Sequence, residues 1–275
     1  TTVYESFDKI YANGENNYNQ LLLYNRNVNS YNAQSTLNNQ EITSIESGYR
    51  YTAFTNTEKE AYVIGYNNYG QLSVDNRTTY YDYVKVLEDE LVDKVSTGYD
   101  HTVFLTSENK VFSSGRNNYG QIGNKTTTDT NIAVHTEINN IKDINCGYNH
   151  TTFLTKKNTV MACGRNSNGQ FGTGNTTNYN TPVSINVDNK RIIKIYGNYL
   201  SNFYLTADYE VYVSGYNNNG QLGDGTVTQR TSPIQVMSDY KIYKIATGQE
   251  HTIFLTTDNK VYTCGRNSEY QCGTG

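Results

Sequence analysis

The 275-residue chain contains no tryptophan, two prolines, two methionines and four cysteines. It has no run of lysine and arginine, and its net charge is −4 with a pI near 5.6. The long-range positive field that drives binding to a phosphate backbone is therefore missing, and nucleic acid is not an expected partner. No apolar stretch approaches the roughly 18 residues that would suggest a membrane-spanning helix, and the first residues lack a charged-then-apolar export pattern. Cys146, Cys163, Cys264 and Cys272 show no Cys-x-x-Cys spacing. They read as unpaired core thiols in a reducing, intracellular setting. Sequons at Asn76, Asn124, Asn149 and Asn175 leave a secreted route open.

The motifs of common enzymes are absent too. There is no Gly-Lys-Ser/Thr phosphate loop, no Gly-x-Ser-x-Gly elbow, no His-Glu-x-x-His, and no carboxylate pair at a spacing that predicts acid–base work. These gaps predict no catalytic residues, no metal site and no cofactor.

What the chain does have is a repeated phrase. Gly115 to Gly123 reads GRNNYGQIG, and further copies begin at Gly14, Gly65, Gly164, Gly215 and Gly265, spaced by 51, 50, 49, 51 and 50 residues. A second phrase trails each of the first five by 32 to 34 residues: Ser47-Gly48-Tyr49, Thr97-Gly98-Tyr99, Cys146-Gly147-Tyr148, Tyr196-Gly197-Asn198 and Thr247-Gly248-Gln249. Phe54, Phe104, Phe153, Phe203 and Phe254 lie six residues after those glycines. So even a period marks a repeat architecture.

Within each unit, short β-forming runs such as Lys244–Thr247, His251–Leu255 and Lys260–Thr263 are separated by Gly or Asp-Asn turn signals. Pro182 and Pro233 each fall 18 residues after a unit's first glycine. A missing N–H costs little at a strand's first residue, so they are expected to open a fourth strand placed ahead of the other three. Residues 1 to 13 align with Thr252 to Cys264, so the chain opens on a hairpin midway through a unit. The segment from Leu21 to Gln40 is the most divergent. Four short strands every 50 residues predict an all-β fold, a β-propeller of four-stranded blades over residues 1–275, with about five and a half repeats present.

The phrases G-x-N-x-x-G-Q-L-G-x-G, P-x-x-V, G-x-x-H-T-x-x-L and N-K-V-Y-x-x-G, in that order and period, resemble the repeats of the regulator of chromosome condensation family. The resemblance implies a seven-bladed propeller, which at this period needs about 350 residues. The chain is thus expected to be an excerpt of a longer ring, because an unclosed ring would leave sheet edges bare. The family's tryptophan before the last-strand glycine is replaced here by Asn13, Ile64, Ser114, Cys163, Ser214 and Cys264. That removes the light-sensing chemistry of the plant ultraviolet photoreceptor, a relative.

His101, His150 and His251 recur at one phase, with Tyr51 and Leu200 assigned to it in other units, and are read as structural. His135, off phase, is expected in a loop. The motif asparagines (Asn16, Asn67, Asn117, Asn166, Asn217, Asn267) and glutamines (Gln20, Gln71, Gln121, Gln170, Gln221, Gln271) occur in all six copies, which argues for backbone hydrogen bonding in a tight turn. Gly172-Thr173-Gly174 and Gly223-Asp224-Gly225 are turns by phase.

Function is expected where the copies differ within the fixed frame. One variable set is Tyr49-Arg50, Tyr99-Asp100, Tyr148-Asn149, Asn198-Tyr199 and Gln249-Glu250; the other is Glu15, Tyr66, Arg116, Arg165, Tyr216 and Arg266. In an up-and-down blade both fall on one face. The predicted partner-binding residues are Tyr49, Arg50, Tyr66, Tyr99, Asp100, Arg116, Tyr148, Asn149, Arg165, Tyr199, Tyr216, Glu250 and Arg266, since Tyr and Arg most often anchor interfaces. The expected function is a non-enzymatic protein-interaction platform. The resemblance offers a small GTPase as partner and nucleotide exchange as the alternative: Asp100 and Glu250 match the acidic position before the repeat histidine that helps the family's exchange factor grip its GTPase. No unit exceeds 51 residues, so the wedge that expels nucleotide has no counterpart. A secreted or effector-type protein inhibitor is a further alternative.

Overall fold

The computed structural model describes residues 2–6, 9–14, 16–21, 30–36 and 41–273. These form twenty-two strands and no helix. The first sheet holds β1 (Thr2–Ser6), β2 (Lys9–Gly14) and β3 (Ser30–Thr36), and the second β4 (Ile42–Ser47), β5 (Tyr51–Asn56), β6 (Ala61–Gly65) and β7 (Tyr80–Val86). The third has β8 (Val92–Thr97), β9 (His101–Thr106), β10 (Val111–Gly115) and β11 (Thr130–His135). The fourth has β12 (Ile141–Cys146), β13 (His150–Thr155), β14 (Val160–Gly164) and β15 (Tyr179–Ile185). The fifth has β16 (Ile192–Gly197), β17 (Ser201–Thr206), β18 (Val211–Gly215) and β19 (Arg230–Val236), and the sixth β20 (Ile242–Thr247), β21 (His251–Thr256) and β22 (Val261–Gly265). All pairings are antiparallel between sequence neighbours.

The inner strands β4, β8, β12, β16 and β20 adjoin one another in that order, and the second strand of one sheet packs on the inner strand of the next. This is β-propeller packing. The core consequently lies between sheets. Val103, Leu105 and Val111 meet Ile141, Ile144 and Phe153, and Phe203, Val211 and Val213 meet Ile242, Ile245 and Phe254. Each such side chain contributes roughly 1.5–3 kcal/mol on burial. A sheet sandwiched on both sides has no polar face, so β5, β9 and β17 are buried at every residue. In β21 burial alternates, with Thr252, Phe254 and Thr256 facing the fifth sheet.

Polar staples tie the sheets at one phase. Thr52, Thr102, Thr151 and Thr252 donate from their hydroxyls to the carbonyls of Gln20, Gln71, Gln121 and Gln221 at 2.7–2.8 Å, and Asn202 Nδ2 donates to the Gln170 carbonyl at 2.9 Å. His101 Nε2 lies 3.1 Å from Thr151 Oγ1, and His150 Nε2 lies 3.0 Å from Asn202 Oδ1. These two histidines are fully buried structural groups, as the sequence indicated. All four cysteines are free thiols.

Four expectations need correction. The P-x-x-V strand does not precede its three companions: β7, β11, β15 and β19 are the outer strands of the sheets formed by the three strands before them. The motif loop therefore joins third to outer strand within a sheet instead of linking blades. Pro182 and Pro233 do not open their strands; each is the fourth residue of β15 or β19 and lies in a register shift, opposite the step from Ala162 to Gly164 or from Val213 to Gly215. A bulged outer strand needs no N–H there, so the missing donor costs nothing. His135 ends β11 and stacks edge-on against Phe112, 5.4 Å between ring centres, so it is not a loop residue.

The last correction concerns the fifth sheet, where one extra residue follows Gly197. β17 starts at Ser201, four residues on, whereas β13 starts at His150, three after Gly147. Ser201, not Leu200, holds the histidine phase, and Tyr204 pairs with Ile195 as Phe153 pairs with Ile144, so Phe203 is off the aromatic phase. Tyr199 then corresponds to Tyr148, and Leu200 to Asn149. Of the divergent first-unit segment, Leu21 and 30–36 are described; Glu15 lies outside the described residues.

Candidate functional site

Two sets of loops leave the sheets on one side, those joining inner to second strands and those joining third to outer strands. Backbone bonds lock them pairwise. The N–H groups of Tyr66, Arg116, Arg165, Tyr216 and Arg266 donate to the carbonyls of Arg50, Asp100, Asn149, Leu200 and Glu250 at 2.8–3.1 Å. Each donor follows a glycine with φ between +101° and +113°. A Cβ on Gly115 would sit 2.4 Å from the Asp100 carbonyl oxygen, so the phrase must begin with glycine. Asparagine and glutamine set the rest of the loop. Asn67 Oδ1 accepts the Leu72 N–H at 2.9 Å and Gln71 Oε1 accepts the Tyr69 N–H at 3.1 Å, and the same pair of bonds recurs in all six copies. These are the backbone roles read from the repeat.

On this frame the tyrosines form a continuous ladder across four sheets. Tyr49 stacks on Tyr99 with ring centres 4.1 Å apart and planes 9° apart; Tyr99 and Tyr148 are 4.2 Å apart, and Tyr148 and Tyr199 are 4.0 Å apart. Beneath the rings the backbone is chained in the same order, with the N–H of Tyr49, Tyr99 and Tyr148 donating to the carbonyl of the next tyrosine at 3.0–3.1 Å. The insertion after Gly197 is what brings Tyr199 into this line. Arg50 caps the ladder, its guanidinium 4.6 Å from the Tyr49 ring centre and 5.4 Å from that of Tyr18. Burial holds the Tyr99 phenol well above its usual range, and the neighbouring Tyr49 adds to the shift. Burial likewise lifts Tyr199 to about 12.

The remaining predicted residues form a second tier. Arg116 reaches Asp100 at 3.5 Å and lies over Tyr69 at 4.9 Å; Arg165 lies over Tyr119 at 5.5 Å. Tyr66 meets Tyr18 edge-on at 5.2 Å, and Arg266 bridges to Glu250 at 3.1 Å. Tyr216 is half-buried, with its carbonyl accepting the Ser201 hydroxyl at 2.8 Å. Two members are not displayed. Asp100 is 2% exposed and Asn149 3%, the latter accepting a 3.4 Å bond from Gln121 Nε2. Burial pushes the Asp100 carboxyl up to about 6 against the opposing pull of Arg116. Sequence reading missed Tyr18, Tyr69 and Tyr119 at the fifth motif position, which also carries Asn168, Asn219 and Glu269. The variation that singled out the second position marks the fifth as well. Among the described residues no three His, Cys, Asp or Glu side chains are grouped to hold a metal ion.

The sequence pattern of the RCC1-like domain matches residues 9–275. The chain belongs to the RCC1-like domain family. No curated protein matches it. Among solved structures it is similar to human WBSCR16, at 22% identity and TM-score 0.81, over 94% of this chain and 74% of that one. It is also similar to yeast RCC1 (Prp20) as solved with Kap60, at 19% identity and TM-score 0.87, over 98% of this chain and 68% of that one. A second Prp20p structure, from Saccharomyces cerevisiae and described with its binding properties to Gsp1p and histones, gives 19% identity and TM-score 0.85 over 98% and 70%. At these identities the likeness establishes the fold.

Proposed function

We propose that this RCC1-like propeller is a non-catalytic protein-docking platform whose contact surface is the tyrosine ladder and its arginine cap. The observation that carries this reading is the unbroken stack Tyr49, Tyr99, Tyr148 and Tyr199, half-exposed on a backbone frame shared by four sheets. Rigid aromatic surface with hydroxyl handles loses little side-chain entropy on binding, and arginine over an aromatic adds a cation for a partner's acids. A second reading, nucleotide exchange on a small GTPase, draws on the Prp20p structure described with Gsp1p binding. Burial of Asp100 leaves Glu250 as the one half-exposed acid at that position, which weakens it.

The test is capture of partners with wild-type protein and with an Arg50→Glu, Tyr148→Ser variant of unchanged circular dichroism, followed by hydrogen exchange of the purified complex. The expected result is a partner lost in the variant, with protection at 48–50, 98–100, 147–149 and 198–200. Protection confined to the opposite face would refute the assignment. Preferential capture of a nucleotide-free GTPase, released by added nucleotide, would put exchange ahead of docking.

A further inference from the structure

The face opposite the ladder is built from the turns between second and third strands and the links from each outer strand to the next sheet. They are bonded to each other: Lys156 N–H donates to the Asn140 carbonyl at 2.7 Å and Ala207 N–H to the Arg191 carbonyl at 2.9 Å. Charge on this face is uneven, with acids in excess in some turns and links and cations in others. Glu88, Asp89 and Glu90 lie in the link after β7, and Asp208, Glu210 and Asp239 lie around the fifth sheet. Between these acids the turn after β13 and the link after β15 carry Lys156, Lys157, Lys190 and Arg191, with Lys142 beside them.

A groove of about 430 Å³ opens here, with Lys157, Lys190 and Arg191 on its rim and Val160, Ile185 and Val187 in its lining. Lys190 is neutralised by Glu210 at 3.0 Å. Among the described residues, Lys142, Lys156, Lys157 and Arg191 have no carboxylate within ion-pair distance, and all four are exposed. The cations crowd one another: the Lys142 ammonium is held below the usual lysine range, first by burial and then by Arg191. Asp188, the acid in the link itself, is 3.5 Å from the Tyr212 hydroxyl. A cluster of unpaired cations on a chain of net charge −4 is a local surplus that an anionic ligand would relieve.

We propose that this basic groove between the fourth and fifth sheets is a second docking site, separate from the tyrosine face, that takes a short acidic segment of a protein partner. Two features select that class over a nucleic acid. The groove is short and its floor is closed by the buried Val160, Ile185 and Val187, so it accommodates a few residues of extended chain and not a duplex. The exposed acids Glu88, Asp89, Asp208 and Asp239 on either side disfavour a polyanion longer than the groove, as like charges placed together do.

The test is fluorescence anisotropy at low and moderate salt with a fluorescein-labelled Glu-Glu-Leu-Glu-Glu-Leu peptide, a Lys-Lys-Leu-Lys-Lys-Leu control and a short single-stranded oligodeoxynucleotide. The proteins are wild type, the exposed charge reversal Lys157→Glu with Arg191→Glu, and Lys125→Glu, an exposed charge reversal outside the groove, as a control. Saturable, salt-sensitive binding of the acidic peptide, weakened about tenfold or more by the double reversal and untouched by Lys125→Glu, is the expected result. Absence of saturable binding, equal binding by the double reversal, or equal binding of the oligodeoxynucleotide through the same residues would each overturn the proposal. The outcome is independent of whether the tyrosine ladder binds anything.

Discussion

The imidazole of His101 occupies the space in which a side chain on Gly98 would begin. A Cβ built on Gly98 would stand 2.1 Å from His101 Cε1, and the distances at Gly147 with His150 and Gly248 with His251 are both 2.0 Å. The repeated G-x-x-H phrase is thus a packing unit, with the ring folded back on its own glycine so that Nε2 can reach the next sheet. Gly98→Ala has no slack, because the ring is also fixed by Thr151. We expect a loss of about 3 kcal/mol or more, which for a chain of this size lowers Tm by roughly 6–12 °C. Gly174→Ala, where φ is +79° but the space is open, should cost only about 1 kcal/mol. Thermal unfolding of the two variants side by side separates collision from backbone strain; equal losses would refute the packing account.

Asn117 shows what the motif asparagine does. Its Oδ1 accepts the Ile122 N–H at 3.0 Å while Nδ2 is held among Asn124 Oδ1 and the carbonyls of Thr126 and Thr128 at 3.1–3.2 Å. Asn117→Asp keeps the acceptor and replaces the donor with an oxygen facing oxygens. It should therefore be no milder than Asn117→Ala, each costing on the order of 2–3 kcal/mol. An Asn117→Asp variant as stable as wild type, measured by chemical denaturation, would show that the donor side is idle.

Much of this fold was legible because the repeat spells out both its strands and its turns. The 50-residue period, the glycine that admits a carbonyl and the Asn/Gln clamp each carry one local reason, and local reasons survive in sequence. The sheet to which the P-x-x-V strand belongs was not legible, since proline suits a strand start and a bulged outer strand alike, and only hydrogen-bond register decides. The inserted residue after Gly197 escaped for a similar reason. Phe203-Tyr204 offers an aromatic at either phase, and register with Ile195 selects Tyr204. At the candidate site the variable positions were readable. That Asp100 lies beneath Arg116 while the tyrosines stack above the chained loops was not, because neighbours 50 residues apart leave no trace in a single unit.

In the second to sixth sheets the turn between second and third strands places one residue in the left-handed region: Lys59, Asn109, Asn158, Tyr209 and Asn259, with φ of 61–64°. Asparagine adopts that conformation at less cost than tyrosine. Tyr209 is 43% exposed, so little packing offsets the strain. Tyr209→Asn should stabilise the protein by roughly 0.5–1 kcal/mol. A lowered Tm would mean that the ring makes contacts worth more than the backbone strain.

Acid should destabilise this protein through His101 and His150, and Asp100 should partly oppose the effect. Burial depresses His101 to about 3 and His150 to about 4, against an ordinary value near 6.5. The unfolded chain then binds more protons than the folded one between those values, so stability is complete above about pH 6.5 and declines as pH falls. Asp100 has the opposite sign. Its folded value of about 6 lies above its ordinary 3.8, so the folded state holds the extra proton and stability declines as pH rises from about 4 to 6. Asparagine fits the equivalent slot at Asn149, bonded to Gln121. Asp100→Asn should therefore raise stability above pH 6, by on the order of 1 kcal/mol once residual screening by Arg116 and solvent is allowed for, and the gain should vanish near pH 4. Because the variant loses the opposing Asp100 contribution, its stability should fall more steeply than wild type's from pH 6 to 4. Tm measured for both proteins across pH 4–8 checks the sign directly, and a gap that is constant with pH would show that Asp100 titrates alike in the folded and unfolded chains.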